Sequence, residues 1–200
     1  MIRILIAVPT FENISPETFK SIYNLDKTKN MIVDFDFVKG YDCARARNMI
    51  ANRAVKEGYH YVLMVDSDII IPTYTLIKML KDPSPVCLGC YPRKNTKNGT
   101  FEIFKVGQKD YVNTFNYKEL TSMSGKIEVK GGGFGCALID VDVFKNLALS
   151  YPYFKYVEYN NKSRLSEDCY FCSNVRKAGY KIYAETDVLC GHSIKGFQWQ

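Results

Sequence analysis

Two carboxylates two residues apart, Asp66 and Asp68, end the run Tyr-Val-Leu-Met-Val-Asp-Ser-Asp at residues 61–68. In an extended strand alternate side chains share a face, so both acids project the same way from its carboxyl end. Carboxylates held this close repel, and a divalent cation with oxygen ligands relieves the repulsion. The bland alternative is a polar strand end before a helix, which Asp-x-Asp alone is too common to exclude. A second acidic pair, Glu167-Asp168, opens a predicted helix, whose dipole favours the ionised state that a general base requires. Ordinary helix N-terminal decoration is the competing reading. Arg47, within Ala-Arg-Asn at 46–48, carries a permanently charged guanidinium with paired donors for phosphate or carboxylate oxygens. Its alternative is a solvated helix residue, and Asn48 beside it reads equally as a local hydrogen-bonding partner. His192, one of two histidines, follows the last predicted strand, and neutral imidazole suits Mn2+. A satisfied surface histidine competes with that reading. His60, at the opposite end of the central strand, is read as structural.

Gly131-Gly132-Gly133-Phe134-Gly135 leads into a strand and not a helix, so it is no dinucleotide fingerprint. It either admits close backbone approach or makes a plain turn. Two Cys-x-x-Cys pairs, Cys87/Cys90 and Cys169/Cys172, raise a zinc site. The first falls in a predicted strand, where residues three apart face opposite ways, and the second has only the spacing of a buried helix face. Buried thiols account for them better.

These residues need elements to position them. Ile2–Val8, residues 31–38, Tyr61–Val65 and residues 86–91 read as strands. Helices alternate with them: one capped by Ser15 with Pro16 at N1 and Glu17 in its first turn, and one over 43–57 capped by Asp42 and closed by Gly58. A third starts at Pro72, with Leu76, Ile77 and Leu80 facing inward. Residues 93–127 show short strands near 101–106 and a polar loop over 107–125. A strand over Cys136–Asp140, a short helix from Val141, a helix over 167–178 between Ser166 and Gly179, and two short strands at 180–184 and 188–190 complete the chain. Strand–helix alternation through the first ninety residues predicts a mostly parallel α/β sheet with right-handed connections.

Composition sets limits. Two hundred residues suit a single domain over 1–200, and 46% apolar with 24% charged residues is ordinary for a globular chain. The net charge of +6 suits an anionic ligand, and its scattered basic residues do not form a nucleic-acid tract. Seven cysteines, no secretory h-region after Met1, and no run of apolar residues long enough to span a bilayer lead to the expectation of a cytoplasmic protein with free thiols.

Taken in order, Ile6-Ala-Val-Pro-Thr-Phe-Glu12, Ala46-Arg47-Asn48, Gly58, and Val65-Asp66-Ser67-Asp68 with Pro72 following resemble the nucleotide-sugar half of family 2-type glycosyltransferases, which have the GT-A fold. The resemblance is clear over 1–93 and looser over 129–192. It implies an α/β GT-A domain: a mostly parallel central sheet flanked by helices, with a small mixed C-terminal acceptor-side sheet. Residues 1–93 would be the nucleotide-sugar-binding half and 94–200 the acceptor-side half. It further implies metal-dependent transfer of a sugar from a nucleoside-diphosphate donor to an acceptor hydroxyl. Val8, Pro9 and Thr10 would lie beside the base, and Arg47 near base and phosphates. Asp66 and Ser67 would meet the donor, with Asp66, Asp68 and His192 around Mn2+ or Mg2+. Gly132, Gly133 and Phe134 would line the donor sugar and acceptor, and Asp168, with Glu167 as second candidate, would be the base of an inverting reaction.

One departure bears on the donor. The family's second strand ends in an acidic pair followed by Gly-Ser, whereas residues 34–41 read Asp-Phe-Asp-Phe-Val-Lys-Gly-Tyr, leaving the nucleoside open with a UDP-sugar favoured. The chain is short for this family, which implies an acceptor part that is reduced or supplied by a partner subunit or a second copy. Two other readings stand beside this one: a zinc-stapled nucleic-acid-binding module, and a GT-A-like nucleotidyltransferase. The latter usually carries a glycine-rich basic loop after its first strand, where this chain has Phe11-Glu12-Asn13.

Overall fold

Ile4 to Val8 are all at most 1% exposed, so the first strand must be covered on both faces. The computed structural model describes residues 1–94, 99–107, 113–146, 148–159 and 163–193. The chain opens with β1 (Ile2–Thr10), α1 (Pro16–Tyr23), β2 (Met31–Lys39), α2 (Cys43–Lys56), β3 (Tyr61–Val65), the two-residue β4 (Ile69–Ile70), α3 (Thr75–Lys81) and β5 (Val86–Cys90). Next come β6 (Thr100–Phe104), β7 (Thr114–Asn116), α4 (Tyr117–Thr121), β8 (Lys126–Val129), β9 (Gly131–Gly132), β10 (Cys136–Asp140) and α5 (Asp142–Lys145). The last third holds β11 (Val157–Tyr159), β12 (Ser163–Leu165), α6 (Glu167–Lys177), β13 (Ile182–Leu189) and β14 (Gly191–His192).

Seven strands form the central sheet in the order β2-β1-β3-β10-β5-β13-β8. Strands β2, β1, β3, β5 and β13 run parallel, whereas β10 is antiparallel to both β3 and β5, and β8 to β13. The sheet is therefore mostly parallel, as the alternation of elements predicts. Ala46, Ile50 and Ala54 of α2, with Phe144 of α5 and Phe171 and Val175 of α6, bury one face against Leu5, Ala7, Val62 and Met64. Ile22 of α1 and Leu76 and Met79 of α3 bury the other against Ile4, Ile6, Val8, Leu63 and Val65. Each fully buried aliphatic side chain contributes about 1.5–3 kcal/mol. Smaller antiparallel sheets, β7-β6-β9, β11-β12 and β14-β4, lie outside this stack.

Local signals hold where backbone chemistry decides them. The Ser15 hydroxyl accepts from Thr18 N at 3.0 Å with Pro16 at N1, and Asp42 accepts from Arg45 N at 3.1 Å at the head of α2. Gly58 and Gly179 close α2 and α6 at φ +70° and +89°.

Four expectations change. In α3 the buried stripe is Leu76 and Met79, while Ile77 is 36% exposed, because position 77 is rotated about 100° from 76 on a helix of 3.6 residues per turn. The polar stretch after residue 107 contains β7 and α4, the latter started by a capping box between Asn116 and Glu119; residues 108–112 of it lie outside the described residues. The two short strands expected at 180–184 and 188–190 are one strand, β13, whose register shifts between Glu185 and Leu189. Ser166 holds the N-cap position of α6 without capping it, its hydroxyl donating instead to Asp168 Oδ1.

All seven cysteines are free thiols, six of them buried. Cys87 packs into one face of the sheet and Cys90 into the other, so this pair cannot chelate one ion. Burial raises both thiols, Cys87 to about 12, which makes them inert. Among the described residues no helix is long and apolar enough to cross a membrane.

Candidate active site

The parallel strands deliver their carboxyl ends to one side, where open α/β sheets place ligands. Asp66 follows β3 directly, and its N–H donates to Gly135 O at 3.0 Å, across the step from β3 to β10. Its Oδ1 accepts from Arg47 Nη2 at 2.8 Å. Arg47 Nη1 reaches Glu167 Oε1 at 2.5 Å, so one guanidinium from α2 links the end of β3 to the first turn of α6. Arg47 is 2% exposed, lies 5.6 Å from the Phe134 ring centroid, and among the described residues its Nε has no hydrogen-bond partner. Burial opposes its charge, and the surrounding acids, Asp66 foremost, more than restore it. Asn48 secures the same helix: it donates to Ala44 O and Phe154 O and accepts from Phe154 N at 3.1 Å.

Asp68 lies inside the turn after β3 that Ile69 N–H closes on Asp66 O at 3.1 Å. The β4–β14 pairing sets His192 opposite Ile69, and Ser193 N–H donates to Asp68 O at 2.7 Å. His192 Nε2 thereby comes 3.6 Å from Asp68 Oδ2. Its Nδ1 lies 2.8 Å from Pro92 O, and a carbonyl can only accept, so Nδ1 carries the hydrogen and Nε2 is the atom turned to the carboxylate. Lys94 Nζ pairs with the same Oδ2. Burial would raise Asp68, but His192 and Lys94 outweigh it and hold the carboxyl down at about 2.

Asp168, partly buried, accepts from the Ser166 hydroxyl and from Cys169 N–H at 2.7 Å. Among the described residues it forms no ion pair. Burial lifts it above the usual aspartate value, Arg47 pulling down and Glu167 pushing up. Glu167, one residue away, is buried and committed to Arg47.

These groups surround one cavity of about 590 Å³. Of the residues singled out in the sequence, Asp66, Asp68, Asp168 and His192 line it. Tyr91, Arg93, Lys94 and Glu102, which motif reasoning passed over, line it too. Arg93 is held on Glu102 by bonds of 2.7 and 2.9 Å, and Tyr91 stands edge-on to the His192 ring at 5.6 Å. A readable signal existed for two of them, since Arg93-Lys94 is a basic pair just past the carboxyl end of β5.

The remaining candidates are not among the residues that line this cavity. Val8 and Pro9 are buried, and the Thr10 hydroxyl donates to Asn13 O at 2.9 Å. Ser67 O accepts from Ser15 N–H at 2.8 Å. Phe134 is fully buried against Phe154 and Phe171. At Gly133 a Cβ would meet Tyr91 Oη at 1.9 Å, and at Gly132 it would meet Glu102 O at 2.6 Å. These glycines therefore admit Tyr91 and β6 against the backbone.

Asp68 and His192 can offer one carboxylate oxygen and one imidazole nitrogen to a shared ion, a donor pair suited to Mn2+, with the imidazole oriented by a backbone carbonyl. No group of three or more His, Cys, Asp or Glu that could hold an ion by itself occurs among the described residues. The fit is to an ion completed by ligand oxygens, as Mg2+ and Mn2+ are completed by substrate phosphates.

No family model and no curated sequence matches the chain. Solved structures do. The STIV protein A197 superposes with a TM-score of 0.66 at 18% identity, covering 96% of this chain and 86% of that one. GalNAc-T7, solved with UDP, GalNAc and Mn2+, gives 0.58 at 13% identity over 97% of this chain, which spans 45% of it. S. aureus TarS 1–349 gives 0.54 at 16% identity over 94% of this chain, which spans 60% of it. These neighbours share one architecture, and with its seven-stranded mixed sheet, flanking helices and small separate sheets, this chain has the GT-A fold.

Proposed function

We propose that the protein is a metal-dependent glycosyltransferase that moves a sugar from a nucleoside-diphosphate donor, a UDP-sugar by preference, to an acceptor hydroxyl with inversion. The observation that carries this reading is convergence. Asp66, Asp68, Asp168 and His192 come from three distant segments and line one cavity at the carboxyl end of the parallel strands.

In this reading Asp68 and His192 hold Mn2+ or Mg2+ together with the donor's diphosphate oxygens. The bound ion supplies Lewis-acid stabilisation of the departing nucleoside diphosphate. Asp66, oriented by Arg47, accepts from the donor's ribose, and Ser67 lies beside it. The strand end at Val8, Pro9 and Thr10 borders the base through its backbone, since the Val8 and Pro9 side chains are buried. Arg93 and Lys94 add positive charge where the diphosphate departs. Asp168 takes the proton of the acceptor hydroxyl as that oxygen attacks the anomeric carbon. Its burial makes it a stronger proton acceptor than a solvated aspartate. Glu167 instead serves Arg47, which leaves Asp168 as the base. Gly132, Gly133 and Phe134 form the wall behind the donor sugar, shaped through Tyr91. GalNAc-T7, solved with UDP and Mn2+, supports the donor class by fold alone.

Thermal shift across nucleoside mono-, di- and triphosphates, with and without Mn2+ or Mg2+, tests the reading. A diphosphate should stabilise the chain only when metal is present, by about 2.7 kcal/mol at a hundredfold excess over Kd, and Asp68→Ala should abolish the effect. Stabilisation by no diphosphate under any condition would overturn it. A clear preference for a triphosphate would move the assignment to nucleotidyl transfer.

A further inference from the structure

Lys94 is drawn by no strand or helix, and yet its ammonium rests on the one carboxylate oxygen that His192 Nε2 also approaches, at 3.6 Å. The same short segment after β5 does both jobs. Pro92 O fixes the imidazole through Nδ1, and two residues later Lys94 places a cation on Asp68. Asp68 Oδ2 is thus already the seat of a positive charge.

The two basic residues at this corner differ in how they are held. Arg93 is locked on Glu102 by a two-bond fork at 2.7 and 2.9 Å. The Lys94 side chain is 46% exposed, and a four-carbon stem carrying a compact ammonium can swing where a locked guanidinium cannot. A divalent ion bound between Asp68 and His192 would stand against that ammonium, and like charges at such separation exclude one another. When a donor diphosphate is present, its oxygens offer the displaced ammonium a new partner of the right sign.

We propose, resting on the metal-dependent reading above, that Lys94 is a positioning residue that neutralises Asp68 while no divalent ion is bound and passes to the donor's diphosphate when the ion enters. Metal alone must evict Lys94 and binds weakly. Metal and donor together satisfy every charge, so each raises the affinity for the other. The site therefore loads ion and donor as a pair.

Calorimetric titration of Mn2+ and of UDP into wild type, Lys94→Met and Lys94→Arg tests this. Lys94→Met keeps the stem and removes the charge, and an exposed position tolerates it. Without nucleotide, Lys94→Met should bind Mn2+ about tenfold more tightly than wild type, and with saturating Mn2+ it should bind UDP about tenfold more weakly, shrinking the coupling. Lys94→Arg should stay near wild type in both titrations. Equal Mn2+ affinity of wild type and Lys94→Met without nucleotide overturns the inference, while metal-dependent UDP binding by wild type would leave the functional reading standing. Equal UDP affinity of wild type in excess chelator and in Mn2+ overturns both.

Discussion

Arg47 Nη2 lies 2.8 Å from Asp66 Oδ1, and this contact, continued by Nη1 to Glu167, fastens the end of β3 to the helix that carries Asp168. A side chain 2% exposed spends its charge on two acids from distant segments. Removing it strands both.

Arg47→Met should therefore cost about 3–5 kcal/mol in urea unfolding, the range for leaving a buried charge uncompensated. Arg47→Lys should recover only part, because an ammonium lacks the planar fork that spans two carboxylates. A loss below about 1 kcal/mol for Arg47→Met would mean that solvent reaches the acids and the link is not structural.

Asp168 predicts a pH dependence of both rate and stability. Its folded carboxyl titrates above the ordinary value of 3.8, chiefly because of burial. As the proposed base it must be ionised, so the acid limb of kcat against pH should lie above the range of a solvated aspartate. The folded chain holds this proton more tightly than the unfolded one. Stability from this group is thus fully present below the unfolded value and declines as pH rises through the folded one. Asp168→Asn should be at least as stable as wild type at pH 7 while losing turnover. A variant that is inactive and also less stable at pH 7 would contradict this account.

Asn48 is a clamp. Its amide donates to Phe154 O at 2.7 Å and accepts from Phe154 N at 3.1 Å, which fixes the ring stacked 4.6 Å from Phe171. Asn48→Ala leaves that buried backbone donor and acceptor unpaired, at about 1–3 kcal/mol each. Chemical denaturation should show the loss, and hydrogen exchange should localise it to the Phe154 amide.

Gly133→Ala should destabilise by about 1–3 kcal/mol, the usual cost of overpacking, because its Cβ would fall 1.9 Å from Tyr91 Oη. Tyr91 stands edge-on to His192, so the same change should weaken Mn2+ binding in the presence of UDP. Gly133→Ala, Tyr91→Phe should recover part of the stability by removing the oxygen that clashes. No recovery would place the obstruction elsewhere, with Glu102 Cγ, 2.7 Å from the same Cβ, the next atom in line.

The sequence by itself determined whatever depends on near neighbours along the chain. Apolar runs made β1 and β3, Ser15 and Asp42 started α1 and α2, and Gly58 ended α2, because caps, turns and buried faces act over a few residues. It also placed Asp66 and Asp68 at a strand end and Glu167 and Asp168 in a helix's first turn.

Only the tertiary structure decided what meets across long separations. Sequence order does not announce that β10 enters antiparallel between β3 and β5, or that β14 pairs with β4 to bring His192 onto Asp68. Nor does local pattern announce the partners of Arg47, which lie 19 and 120 residues away. The glycine run invites close approach in either reading, and only packing shows that Tyr91 fills the space. Lys94 carries no periodic or capping signal, and it meets Asp68 where the segment after β5 holds His192 of β14 through Pro92 O. Short-range preferences are written residue by residue, whereas charge pairing across the cleft is a property of the folded sheet, in which strands distant in sequence end side by side.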